Sequence, residues 1–140
     1  MDIVQKIQIN AEPETVYLAI STQKGLENWF AKNCVAAIKV GHLSKMTFTQ
    51  DGKAVDMNFR LDELDSNKKV VWTCLHSANP AWLNTHISFE ITGHHKPSEL
   101  VFKHSRFSEK YETKADAKSW THFLNSLKKY CETGTGEAWE

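Results

Sequence analysis

One stretch in the last third of the chain constrains the rest: a long amphipathic helix expected from Ala115 to Glu132. Its apolar residues are Ala117, Trp120, Phe123, Leu124, Leu127, Tyr130 and Cys131. Their three- and four-residue spacing gathers them on one side of the helix. That side needs an apolar partner, and most of the preceding residues read as alternating strand. The expected class is therefore α+β, one long helix against a long antiparallel sheet. At 140 residues the chain suits one core, so residues 1–140 are expected to form a single domain.

The elements before the helix follow from local pattern. Asp2 to Ile9 reads as a strand with Ile3, Ile7 and Ile9 on one face. Pro13 suits the first turn of a helix, where its missing N–H has no helical partner, and that helix should reach about Ile20. Ser21 and Thr22 can cap a second short helix carrying Leu26, Trp29 and Phe30. Six further strands are expected. The first two span Asn33–Val40 and Leu43–Gln50, and Asp51-Gly52 is a hairpin signal after them. Ala54–Leu64 alternates, with Val55, Met57, Phe59 and Leu61 on one side, and Lys69–Leu75 is apolar on both faces. The loop His76–Trp82, which contains Asn79-Pro80, precedes strands at Leu83–Thr92 and Glu99–Phe107. A polar linker, Ser108–Lys114, leads into the final helix. Thr113 with Asp116 has the spacing of a capping box, and Gly134 suits the helix end.

Composition narrows the function classes. Lys+Arg and Asp+Glu are both 17, and the arginines are only Arg60 and Arg106. No basic stripe forms, so nucleic acid is not an expected partner. No apolar run approaches the ~20 residues of a membrane span. The start, Met1-Asp2-Ile3-Val4-Gln5-Lys6, lacks the basic-then-apolar pattern of a secretory signal. Cys34, Cys74 and Cys131 are odd in number, widely separated and set among apolar residues. They read as reduced thiols of a cytoplasmic protein. The seven histidines show no metal-ligand spacing, and neither a metal nor a cofactor is expected.

Several short motifs together resemble one family. They include Ala11-Glu12-Pro13-Glu14-Thr15-Val16-Tyr17 and Leu26-Glu27-Asn28-Trp29-Phe30. Leu61-Asp62-Glu63-Leu64-Asp65 with Val71-Trp72-Thr73, and Leu100-Val101-Phe102-Lys103-His104-Ser105, continue the series. Ser119-Trp120 through Leu127-Lys128-Lys129-Tyr130 completes it. In this order they resemble the polyketide cyclase/START-like superfamily, and within it the branch named for activators of a heat-shock chaperone ATPase. The resemblance implies a helix-grip fold, a curved sheet of about seven strands wrapped around the C-terminal helix. Two positions depart from the pattern: a customary glycine after His-Ser is Arg106, and one before the helix tryptophan is Ser119.

Fold membership alone does not choose a function. The expected one is non-enzymatic binding of a small, largely apolar ligand, lipid-like or aromatic, in a cavity between sheet and helix. His104 continues the apolar face Leu100-Phe102 and could orient a ligand, or simply be a hydrogen-bonded core histidine. Glu63 shares parity with Phe59 and Leu61, and Arg106 shares it with His104 if no bulge intervenes. Trp29, Phe59, Trp72, Trp82 and Phe102 are candidate walls, with Trp82 at the mouth. A cyclase- or hydrolase-like enzyme using His104 with Glu63 or Arg106 is one alternative; no complete catalytic constellation is present. The other is a protein-interaction module, with a homodimer or a chaperone as partner.

Overall fold

A computed structural model describes all residues from Met1 to Glu140. Strand β1 (Ile3–Ile9) is followed by helices α1 (Pro13–Ser21) and α2 (Gln23–Trp29). Strands β2 (Asn33–Val35), β3 (Leu43–Gln50), β4 (Lys53–Asp65) and β5 (Lys69–His76) come next. A 3₁₀ turn at Pro80–Trp82 leads to β6 (His86–Thr92), β7 (Ser98–Ser105) and the long helix α3 (Lys114–Thr133). The seven strands form one antiparallel sheet in the order β1-β7-β6-β5-β4-β3-β2. This is the α+β helix-grip arrangement, with α3 packed on the sheet.

Local chemistry sets the element ends. Pro13 opens α1. Thr22 caps α2 by accepting the Gly25 N–H at 3.1 Å. Asp51 and Gly52 both have positive φ, as a tight hairpin between β3 and β4 demands. Gly134 ends α3 at φ 86°, its N–H bonded to the Tyr130 carbonyl. Thr113, by contrast, makes no side-chain cap, and Asp116 turns elsewhere. The regular ladder of β2 stops at Val35, not Val40, and that of β6 begins at His86.

The core lies between the sheet and the helices. Trp120, Phe123, Leu124 and Leu127 of α3 are buried against Phe89, Leu100 and Phe102 of the sheet and against Trp29 and Phe30. Burying each such side chain contributes about 1.5–3 kcal/mol. Phe30 sits at the centre, stacked on Trp120 (5.8 Å, 10°) and edge-on to Phe123 (4.9 Å). α2 lies against α1 so closely that a Cβ on Gly25 would meet the Ala19 carbonyl oxygen at 2.4 Å. Past α3 the chain returns along residues 30–32, the segment that links α2 to β2. Trp139 bridges Ala31 in parallel, donating its N–H to Phe30 (3.0 Å) and accepting from Lys32 (2.9 Å). No helix is long and apolar enough to cross a membrane.

Candidate functional site

Aromatic packing fills the middle of the grip and leaves a cleft of about 340 Å³ at one end. It opens between the far ends of β3 and β4, the loop after β5, and the first turns of α3. Five aromatic side chains wall it: Phe30, Phe48, Trp82, Phe123 and Trp139. Val55 and Met57, on the inward face of β4, form the apolar floor. Trp139 completes the wall because the tail pairing places its ring against Phe48 and Phe123, both at 6.2 Å. Its indole N–H donates to the Thr49 carbonyl at 3.2 Å.

One polar cluster stands at the mouth. Trp82 Nε1–H donates to Asp116 Oδ1 at 3.1 Å, and the Tyr111 hydroxyl donates to Oδ2 at 2.6 Å. Asn79 Nδ2–H donates to the Tyr111 oxygen at 2.9 Å. Burial, then the bond to Asp116, raises the Tyr111 pKa, so the hydroxyl stays a donor. Asn79 also caps its own turn by accepting the Ala81 N–H at 3.0 Å, which fixes where Trp82 points. The cluster thereby ties the β5–β6 loop to the start of α3.

Of the residues read from sequence as ligand contacts, Trp82 lines the cleft. Trp29, Phe59, Trp72 and Phe102 are buried in the core behind it, at 2 % exposure or less. Phe59 and Trp72 touch Phe30, so they back the cleft wall without facing it. His104 points inward, as its parity suggests, yet is sealed from the cleft at 0 % exposure. Its Nδ1 accepts the Trp120 indole N–H at 3.1 Å. Indole only donates, so the ring proton is on Nε2, which donates to Thr85 Oγ1 at 2.8 Å. Thr85 passes the chain to the Trp82 carbonyl at 2.5 Å. Burial drives the His104 pKa down to about 3, which keeps the ring neutral.

Glu63 and Arg106 do not join His104. A register shift in β4 between Leu61 and Glu63 puts Glu63 opposite Val71 on the outer face, within 3.8 Å of Lys69 Nζ. β7 ends at Ser105, and Arg106 takes φ 72°, which swings it outward and turns Phe107 in to meet His104 at 4.3 Å. Arg106 instead lies near His86, whose pKa is lowered by burial first and by the Arg106 charge second. The acid–base grouping considered from sequence is therefore not assembled. The cysteines offer no nucleophile either: burial raises Cys34 and Cys74 to about 11 and Cys131 to about 12.

Sequence reading missed Asp116, Tyr111, Asn79 and Trp139. Trp139 carried a usable signal, a lone large aromatic in a polar tail. Ser119, at the position where the motif has glycine, lines the cleft beside Asp116.

Known proteins share this fold. No curated protein matches the sequence. The solution structure of an Aha1 dimer from Colwellia psychrerythraea is similar over 97% of this chain and 99% of that one, at 31% identity and a TM-score of 0.78. An AHSA1-like protein from Aeromonas hydrophila aligns over 93% and 91%, with 12% identity and a TM-score of 0.75. A protein from Staphylococcus saprophyticus aligns over 98% and 96%, with 16% identity and a TM-score of 0.76. The last two share the fold alone. The family described as activator of Hsp90 ATPase homolog 1-like protein matches residues 10–132. The chain belongs to this family.

Proposed function

We propose that the protein is a non-enzymatic binding module for a small, largely apolar and preferably aromatic ligand. The ligand would sit in the cleft between Trp82 and Trp139. The observation that carries this reading is the cleft itself. Five aromatic walls and a fixed polar cluster remain open in a grip whose centre is otherwise filled. Apolar walls with a few placed polar groups are what small-molecule sites share. At about 340 Å³ the volume is at the low end of the ~300–1,000 Å³ range of such sites. Compounds of one or two rings fit that space better than sterols or long fatty acids.

Thermal shift against fatty acids, sterols and small aromatic compounds tests the reading, since a ligand of the native state raises apparent stability. The small aromatic class should raise the melting temperature in a dose-dependent way. A flat response across all three classes would contradict it.

A second reading, protein interaction, is supported by a different region. The stretch from Val35 to Leu43 holds Val35, Ile38, Val40 and Leu43, each more than half exposed. A relative covering nearly the whole chain is a dimer. Self-association through this stretch would bury those side chains. Light scattering on the parent and on Ile38→Asp tests it: a dimer that dissociates on substitution supports it, and a monomeric parent removes it. The family name adds a chaperone ATPase as the further partner to try.

A further inference from the structure

The cleft contains a single charge. Asp116 is its only charged lining residue, and no lysine, arginine or histidine lines it. Asp116 takes part in none of the protein's ion pairs. Its two oxygens are held instead by neutral donors, the Trp82 indole and the Tyr111 hydroxyl. A carboxylate offers about four lone-pair positions, so roughly two stay free for a ligand. Half-buried and without a counter-charge, Asp116 has given up part of its hydration for two neutral hydrogen bonds.

The walls favour the same complement. The face of an aromatic ring is electron-rich and attracts cations, most strongly for tryptophan. Phe30, Phe48, Trp82, Phe123 and Trp139 surround the space, with Trp82 bonded directly to the carboxylate. Charge and wall thus select one chemistry between them.

We propose that the cleft takes a small organic cation, an ammonium group carried on an aromatic or short alkyl body. The proposal rests on the reading of the cleft as a ligand site and names the class of ligand. The cation would supply the missing counter-charge to Asp116 and lie against the rings. A carboxylate ligand would instead meet Asp116 as a like charge in a partly desolvated site, where such repulsion is strong.

Three benzyl probes, the first two of equal shape, decide it, titrated against the parent protein by tryptophan fluorescence. They are benzyltrimethylammonium, neopentylbenzene (the same skeleton with carbon in place of nitrogen) and phenylacetate. The ammonium should bind about tenfold or more tighter than neopentylbenzene, and phenylacetate most weakly. Asp116→Asn, with its fold checked by circular dichroism, should reduce the ratio of ammonium to neopentylbenzene affinity at least several-fold, whatever it does to the affinity of the neutral compound. If neopentylbenzene binds as tightly as the ammonium to the parent protein, the cation proposal is overturned while the cleft stands as an apolar site. If none of the three saturates, both readings fall. The ranking on the parent protein needs no variant, so a misfolded Asp116→Asn leaves the decision intact.

Discussion

Trp120 donates its indole N–H to Nδ1 of His104 across 3.1 Å, joining α3 to the last strand inside the core. This bond makes His104 a structural part of the grip. Protonating Nδ1 would set two N–H donors against each other in a buried site. The folded pKa of about 3 lies below the ordinary 6.5, so the unfolded chain binds this proton more readily. Stability from His104 is therefore complete above pH about 6.5 and falls as pH drops towards 3, by up to about 1.4 kcal/mol per pH unit. Urea unfolding at pH 7 and pH 5 should show that loss in the parent protein. His104→Asn should show a shallower loss, whatever its absolute stability. Identical pH dependence in both would mean that His104 is accessible to protons in the folded state.

Leu124 on α3 is 1 % exposed and belongs to the central apolar cluster. Leu124→Ala should cost about 2–5 kcal/mol through lost burial and the cavity left behind. That lowers the melting temperature by on the order of 10 °C. A variant that melts with the parent would show that α3 does not seal the sheet.

Arg106 holds φ 72°, a left-handed backbone that suits glycine. Its side chain is exposed and makes no hydrogen bond or ion pair in the structure that would offset the strain. Arg106→Gly should be neutral or stabilising, by up to about 1 kcal/mol once the extra freedom of glycine in the unfolded chain is counted. Chemical denaturation measures it. A loss above about 1 kcal/mol would show that the guanidinium makes a stabilising contact.

How much was legible in the sequence depended on the range of the interaction. Helix period and strand alternation are local, so Trp120, Phe123 and Leu127 could be put in the core from spacing alone. The Asp51-Gly52 hairpin and the Gly134 stop are local too. The β4 bulge left no mark in the pattern, so Glu63 kept an apparent inward parity. Arg106 shares the parity of His104 only if the strand runs on unbroken, and a left-handed turn at an arginine leaves no mark in the pattern. The cleft was least legible. It depends on Trp82 meeting Asp116, 34 residues away in sequence, and on Trp139 returning to Phe48. Asp116 in particular looked like half of a capping box and became the polar contact of the site.

Indole N–H signals in two-dimensional NMR test the central claim most directly, because the tryptophans report from separate places. Trp82 and Trp139 line the cleft, bonded to Asp116 and to the Thr49 carbonyl. Trp29 is fully buried and bonded to the Ala19 carbonyl at 2.7 Å, which makes it an internal control. Titration with a neutral two-ring probe such as 2-naphthol should move the Trp82 and Trp139 signals along one saturating curve and leave Trp29 in place. Signals that all stay fixed up to the solubility limit, or a Trp29 signal that moves while Trp82 and Trp139 do not, would contradict a ligand site in this cleft.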